Sequence, residues 1–367
     1  MKKREWITGI IVLAVLAALI VWVRAKIHFD FHLFAAQAAQ ADWRKILFGI
    51  ACIYTAYLFR SARWSLLMRR GKHVPLFSLT GTQVIGFTAV ALIGRVADPV
   101  RPYLVARKTG QPLSAQIAVY IVERLMDAGS MALIFSVAMI GVPAETILGA
   151  ATAKSGALAH LAPHHRLLAL FVARYGGLVL TVLGAAFLFA VRLSGGAVAT
   201  FFERSFGLIS KNLGLSIGHK IRQFRSGLDT MRNFADFAAV TAISLSMWVL
   251  ISLSYFLTCQ AFVASPGLSS ITASQCVLLM VASGTASIIQ LPIIGWFSQI
   301  GLVAVALVGI LHAETEAATA CAATLLLVTF LSVIPVGLIW AQFEHISLRK
   351  VALESEQAAD GEDSEAN

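Results

Sequence analysis

Long apolar runs dominate the chain and predict membrane-spanning helices rather than the amphipathic elements of a soluble domain. Each of six runs is long enough to cross roughly 30 Å of hydrocarbon as an α-helix. The first run has no small-x-small cleavage site before Arg24, so we interpret it as a retained span rather than a signal peptide. The predicted spans are Trp6 to Val23, Trp43 to Phe59, Leu113 to Val142, Leu167 to Val191, Phe237 to Val263, and Ala317 to Trp340.

Two further apolar stretches contain helix-breaking residues and predict hairpins that enter the membrane and return. Leu76 to Gly94 has Gly86 near its middle, and Ser274 to His312 is interrupted at residues 291–295, which read Leu-Pro-Ile-Ile-Gly. Irregular backbone at membrane depth is tolerated only where protein or a cavity surrounds it. The predicted fold class is therefore an all-α polytopic membrane protein with about six full transmembrane helices and two re-entrant or broken-helix hairpins.

The composition agrees with a protein for which lipid is much of the solvent. Hydrophobic residues make up 58% of the chain, charged residues only 13%, and the mean hydropathy is +0.79, which exceeds what a soluble domain can bury. The four cysteines lie in apolar runs without the close pairing of zinc or redox motifs. We therefore interpret them as packing residues and expect no metal site, no cofactor and no enzymatic activity.

The formal charge of +10 is distributed by membrane side, which argues against nucleic acid as a partner. With the N-terminus in the cytoplasm and Leu76 to Gly94 returning to its side of entry, the main basic groups and both termini are cytoplasmic. A full crossing at Leu76 to Gly94 would weaken this bias. We predict a multi-pass protein of a bacterial-type inner membrane. The basic groups are Arg60 to Lys72, Arg95 to Lys108, and the connection from Arg192 to Arg232.

The chain divides into a transmembrane domain at residues 1–345 and an acidic tail at 346–367, which is expected to be disordered. Within the domain, a basic connection at about residues 194–236 has apolar residues at helical spacing and is predicted to lie along anionic headgroups; a solvated helix packed on the bundle is the alternative. The two hairpins enter from opposite sides, so an inverted repeat of the kind found in transporters is a further hypothesis.

The strongest candidate chemistry is a charged group inside the span that begins at Leu113. Glu123 and Asp127 are four residues apart and share one helix face, and Arg124 lies about 100° away. One arginine cannot pair both acids, so the remaining carboxylate must pair with Arg101 or Arg95, become protonated, or meet a ligand. A buried ion-pair network that fixes the hairpin against the span is the structural alternative, because intramembrane charges are costly and are seldom kept without a role.

A second group follows the first hairpin. Arg95 and Arg101 are suited to bidentate contact with a lipid phosphate, with Asp98 between them. Basic residues beside a membrane helix also satisfy the positive-inside rule without binding anything.

At the second hairpin, Gln290 and Gln299 flank the break at Pro292 and are candidates for lining a polar passage. The alternative is that such groups cap half-helices or bond between helices.

These residues carry a family resemblance. The motif Gly-Arg-x-Ala-Asp-x-x-Arg at residues 94–101, followed by Ile-Val-Glu-Arg-Leu-Met-Asp at 121–127, resembles the transmembrane domain of lysylphosphatidylglycerol synthases and of flippase-like relatives, over nearly the whole chain. Asp98 stands where the family has glutamate and Ala97 where it has glycine. Gln299 lies where a glutamate often follows the second break. These departures bear on any proton-coupled role and on the substrate.

The resemblance implies a protein that moves a lipid between leaflets, without the synthase domain of the bifunctional members. The expected partners are an anionic phospholipid or a polyprenyl phosphate lipid, and further expected partners are a second copy of the chain and a lipid-modifying enzyme. Two alternatives stay open. One is a membrane-embedded glycosyltransferase that uses polyprenyl phosphosugars, for which Asp30 and Asp42 are the acids near an outer loop. The other is a lipid-binding scaffold that transports nothing.

Overall fold

Helices account for the regular structure of the chain wherever it is described, as the apolar runs predict. The computed structural model describes residues 30–68, 74–140, 142, 168, 171–172, 174–179, 181–184, 186, 197–207, 210, 234–286, 294–347, 351 and 354–355. No strand occurs among these residues. The helices that we number are α1 (Phe31–Ala39), α2 (Trp43–Leu67), α3 (Leu76–Ile93), α4 (Val100–Thr109), α5 (Leu113–Ile140), α6 (Ala197–Gly207), α7 (Phe234–Gln260), α8 (Pro266–Ser269), α9 (Ala273–Ala286), α10 (Ile294–Leu311), α11 (Thr315–Leu326) and α12 (Val333–Phe343).

Four described stretches are long and apolar enough to cross a membrane, and two shorter apolar helices accompany them. α5 is also long, with 28 residues, but carries three charged side chains near its middle. The chain is therefore a multi-pass membrane protein. The predicted span Trp6 to Val23 lies outside the described residues, and Leu167 to Val191 is described only in part. The four stretches are Trp43–Leu67, Leu76–Ile93, Ala235–Gln260 and Thr315–Phe343.

The first hairpin is built differently from the prediction. α3 runs unbroken through Gly86, so a turn inside Leu76 to Gly94 is wrong. The chain turns instead at Gly94, whose φ of 94° suits glycine, and a 3₁₀ turn (Arg95–Ala97) leads into α4. α4 then returns along α3, because Lys108 near its end donates to the Ser78 carbonyl near the start of α3, at 3.2 Å.

Gly86 serves close packing rather than a break. A Cβ atom at this position would overlap the Cγ atom of Arg101, which lies against α3 at that point. The missing side chain therefore lets the α4 arginine pass directly against the α3 backbone. The sequence shows the glycine, but its partner comes from the opposite limb of the hairpin.

The second predicted hairpin has two described limbs, α9 and α10, which pack on one another. The far end of α10 returns to α8, which leads directly into α9: a Cβ atom on Gly267 would come within 2.6 Å of the Leu311 carbonyl oxygen. The two limbs thus form a helical hairpin. Of the break predicted at residues 291–295, residues 291–293 lie outside the described residues, and Ile294 and Gly295 begin α10.

The last span is interrupted by a turn of π-helix at Leu327–Leu331, between α11 and α12. The Ser332 amide donates to the Leu327 carbonyl at 2.8 Å, five residues back. Pro335 has no N–H to offer the Leu331 carbonyl. Side chains from other helices bond to the carbonyls next to the turn: the Tyr54 hydroxyl donates to Ser332 at 2.9 Å, and the Thr88 hydroxyl donates to Val333 at 3.4 Å.

The core places these elements around one another. α7 packs along α2, and α12 packs along α3. The largest apolar cluster draws its buried residues mainly from α2, α7, α9, α10 and α11. The described part of the C-terminal tail contacts α4, because the Tyr103 hydroxyl donates to Glu354 at 3.1 Å and Val351 is buried. The domain boundary at residue 345 stays a prediction.

Candidate functional site

A buried ion cluster lies between α2 and α5. Arg63 donates to both carboxylates of α5, through Nη2 to Glu123 Oε1 at 2.9 Å and through Nη1 to Asp127 Oδ1 at 2.7 Å. Arg60 Nη1 donates to the same Glu123 oxygen at 2.8 Å and lies 3.5 Å from Asp127 Oδ2. All four side chains are at least nine-tenths buried. Each acid is therefore shared by two guanidinium groups of a neighbouring helix.

Helix geometry explains why these four groups meet. Glu123 and Asp127 are one turn apart on α5, and Arg60 and Arg63 are one turn apart on α2, so each pair projects from one face of its helix. Because the two faces oppose each other, charged groups that lipid would not tolerate become mutual partners. α2 continues to Leu67, past the predicted end at Phe59, and carries both arginines into the bundle.

Two further arginines complete the cluster. Arg124 Nη2 lies 3.2 Å from Glu123 Oε1 and 3.0 Å from Asp127 Oδ2, and its side chain is 41% exposed. Arg101, 1% exposed, places Nη1 3.5 Å from Glu123 Oε1. That distance is an ion pair but not a hydrogen bond of ordinary length. Four guanidinium groups therefore face two carboxylates, which leaves an excess of two positive charges.

Aromatic rings separate the guanidinium groups. The Phe87 centroid lies 4.4 Å from the guanidinium carbon of Arg101 and 4.9 Å from that of Arg60. The Tyr120 centroid lies 4.8 Å from Arg101 and 5.3 Å from Arg124. Because a ring face attracts a cation, these contacts offset part of the repulsion between like charges. We call these five residues, Arg124, Tyr120, Arg101, Phe87 and Arg60, the arginine–aromatic stack.

Neutral donors and acceptors from α7 and α5 complete the surroundings. Arg63 Nη1 also donates to Ser244 Oγ at 2.9 Å, and the Trp248 indole N–H donates to Asp127 Oδ1 at 3.3 Å. Trp64 donates to the Gln116 side-chain oxygen at 3.0 Å. The cluster thus ties α2, α5 and α7 together.

The structure brings together four of the predicted residues, which are Arg101, Glu123, Arg124 and Asp127. Arg101 is the partner that the sequence predicts for the spare carboxylate. Arg95 is exposed on the 3₁₀ turn, and Arg60 and Arg63 of α2 supply further partners for both carboxylates. Asp98 is half-buried after that turn and acts electrostatically on Arg124.

The predicted residues of the second hairpin are described only in part. Gln299 is buried on α10, and its Oε1 atom has no hydrogen-bond partner among the described residues. Gln290 and Pro292 lie outside the described residues. Their role in a polar passage stays a prediction.

Sequence reasoning missed Arg60 and Arg63. It assigned them to a cytoplasmic basic group because they follow an apolar run and precede further basic residues. Their spacing of three, matched to the acids four apart on α5, is the signal that could have revealed them. Gln83, which accepts from Arg101 Nη1 at 3.3 Å, has no sequence signal of its own.

The described residues contain no group of three or more potential metal ligands. All four cysteines are buried thiols, and the Cys259 and Cys321 sulfur atoms are 3.7 Å apart. The polar chemistry described here therefore centres on arginine and carboxylate groups.

Comparison with known proteins identifies a family but no individual relative. No curated protein and no solved structure is significantly similar to the chain. A family model described as the lysylphosphatidylglycerol synthase TM region matches residues 6–339. This match spans both hairpins and the whole ion cluster, so the chain belongs to the family of the lysylphosphatidylglycerol synthase TM region.

Proposed function

We propose that the protein is a lipid transporter of the flippase type, which moves a phospholipid or a polyprenyl-linked lipid between the leaflets of a bacterial-type inner membrane. The observation that carries this proposal is the ion cluster of α2, α4 and α5, which is buried inside a bundle of mainly apolar helices. Ionisable groups inside a membrane domain typically mark the path of a charged substrate. The family, a membrane domain linked to lipid-related functions, agrees with this proposal.

The ion cluster supplies polar groups that can take the place of the water which a headgroup loses in hydrocarbon. A charged headgroup that crosses the membrane alone loses its hydration, at a cost of at least several kcal/mol. Guanidinium and carboxylate groups that are already held by their neighbours can replace part of that hydration without reorganising. The acyl chains meanwhile remain in the lipid beside the apolar outer faces of the helices.

The two helical hairpins support the same proposal. The α3–α4 and α9–α10 pairs each form a helical hairpin, and broken helices commonly frame the substrate sites of secondary transporters. In our proposal both termini are cytoplasmic, and the hairpins move relative to the long spans during transport.

The test is lipid translocation in proteoliposomes with fluorescent phospholipids and a polyprenyl phosphate. We expect wild type to move at least one of these lipids, and Glu123→Gln and Arg101→Ala to slow the movement by more than about tenfold, because each removes a few kcal/mol of headgroup stabilisation. Arg107→Ala, on the exposed face of α4, is the matched control and should retain the wild-type rate. Folding is checked by monodisperse elution and circular dichroism. If wild type moves no lipid, the proposal is overturned and a scaffold role gains support.

The glycosyltransferase alternative is weakened by the positions of its candidate acids. Asp30 caps α1 by accepting from the His32 and Leu33 amides at 2.8 and 3.1 Å, and Asp42 caps α2 by accepting from the Arg44 amide at 3.1 Å. Helix capping accounts for both carboxylates without a catalytic role.

A further inference from the structure

We propose that a binding site for a phosphate monoester lies at the arginine–aromatic stack and includes the neighbouring Gln83 and Glu123, and that its ligand is a lipid phosphate rather than a phosphodiester or zwitterionic headgroup. The inference rests on the proposed function and specifies the headgroup which that function would carry. It follows from the net charge, from three buried polar atoms and from the geometry of the stack.

The net positive charge of the ion cluster favours an anionic ligand. The four guanidinium groups exceed the two carboxylates by two charges, and counting Asp98 leaves an excess of one. Uncompensated positive charge within a membrane domain is costly, because apolar surroundings strengthen the repulsion between the guanidinium groups. An anionic ligand removes this cost, a zwitterionic ligand leaves it, and a cationic ligand increases it.

Three buried polar atoms around Arg101 have no hydrogen-bond partner among the described residues. Arg101 Nε and Gln83 Nε2 are buried donors without an acceptor among the described residues, and Glu123 Oε2 is a buried acceptor without a donor among them. Arg101 contacts both of the other two residues, through Nη1 to Gln83 Oε1 at 3.3 Å and to Glu123 Oε1 at 3.5 Å. The three atoms therefore belong to one small neighbourhood.

These atoms match a singly protonated phosphate monoester. Such a group offers acceptor oxygens to Arg101 Nε and Gln83 Nε2, and one P–OH donor to Glu123 Oε2. A phosphodiester at neutral pH has acceptor oxygens only, so it would leave the Glu123 oxygen unpaired and facing a negative charge. The carboxylate thus distinguishes a monoester from a diester, and the arginines distinguish both from neutral headgroups.

The exposed end of the stack gives a ligand access to the buried Arg101. Arg124 is the exposed member of the stack, at 41%, whereas Arg101 is 1% exposed. Tyr120 lies between these two guanidinium groups and within 5.3 Å of each. A phosphate that first binds at Arg124 therefore has a second guanidinium, that of Arg101, on the other side of the Tyr120 ring and deeper in the bundle.

The experiment measures lipid binding to the full chain in detergent by native mass spectrometry. The probes are phosphatidic acid as monoester, phosphatidylmethanol as a diester without a hydroxyl donor, phosphatidylcholine as zwitterion, and inorganic phosphate as competitor. We expect phosphatidic acid to bind about tenfold or more tightly than either other lipid, the difference made by one charge-assisted hydrogen bond. Glu123→Gln should remove that preference, because its amide cannot accept the P–OH proton at the position of Glu123 Oε2. Gln83→Met should weaken the binding of both anionic lipids, and the exposed control Arg107→Gln should change neither affinity nor preference.

The outcomes separate the ligand from the transport function. Equal affinity for phosphatidic acid and phosphatidylmethanol, or a preference that survives Glu123→Gln, overturns the inference. If inorganic phosphate displaces phosphatidic acid, the phosphate site is supported and its ligand is a free anion. If the protein binds phosphatidic acid selectively but translocates no lipid, the inference stands and the proposed function is overturned. If the protein translocates lipids without a headgroup preference, the proposed function stands and the inference is overturned. Gln83→Met removes no ion pair, so an unchanged affinity for phosphatidic acid in this variant overturns the site even if Glu123→Gln does not fold.

Discussion

Two regions of the bundle satisfy buried polar groups in different ways. The region of α2 to α5 holds ionised side chains, and each carboxylate takes partners from several helices. The region of α7 to α11 uses hydroxyl groups: Tyr255 and Ser283 share one hydrogen bond of 2.8 Å, and Thr258 donates to the Ser254 carbonyl of its own helix. Hydroxyls can be satisfied locally, but charges cannot. The first region therefore depends on long-range packing far more than the second.

The sharpest way to test this contrast is Arg63→Ala. The change removes the guanidinium that donates the 2.7 Å and 2.9 Å hydrogen bonds to Asp127 and Glu123, and it empties a fully buried position. We expect the free energy of unfolding to fall by about 3–5 kcal/mol, the usual cost of removing one partner from a buried ion pair. Denaturant titration in bicelles measures the loss. An unchanged midpoint would mean that the cluster does not hold the helices together.

Gly337→Ala tests the junction between the π turn and the first hairpin. A Cβ atom on Gly337 would overlap the Thr88 hydroxyl and approach the Val84 carbonyl oxygen to 3.0 Å. We expect a loss of about 1–3 kcal/mol from overpacking, measured by the same titration. The control is Gly309→Ala in α10, where a Cβ atom meets nothing within 4 Å, so that helix propensity should make the change neutral or stabilising by up to about 1 kcal/mol. Equal effects at the two glycines would contradict the close approach.

The smallest effect is expected in the hydroxyl region, from Tyr255→Phe. The change removes one neutral hydrogen bond with Ser283 and keeps the ring, so we expect a loss of about 0.5–1.5 kcal/mol. The double variant with Ser283→Ala should lose little more, since both single changes remove the same bond. A loss as large as that of Arg63→Ala would erase the difference between the two regions.

The sequence predicts what local patterns encode. Apolar runs locate α2, α5, α7 and the last span to within a few residues at most ends, and the spacing of Glu123 and Asp127 places both acids on one face. The prediction fails where a partner lies far along the chain. Arg60 resembles any basic residue after a span until α5 packs beside it, and Gly86 resembles a helix breaker until Arg101 returns along α4.

The fold's helical content was predictable for the same reason, whereas the ion cluster was predictable only in part, without Arg60 and Arg63. Burial of an arginine depends on which helix faces it, and neither hydropathy nor charge counts contain that information. Charges within or next to apolar runs, and then the motif resemblance, indicated Arg101, Glu123, Arg124 and Asp127, but nothing in those patterns indicates the two arginines of α2.

The π turn of the last span has a mechanical consequence. α11 is attached mainly to α10 and α1, whereas α12 is attached mainly to α3. The two halves of one span are thus anchored to different neighbours and joined where the ordinary helical ladder is interrupted and Pro335 withholds a donor. Bending stiffness is lowest at such a joint. The hydroxyls of Tyr54 and Thr88 donate to the carbonyls beside this joint, and these hydrogen bonds hold the joint against α2 and α3.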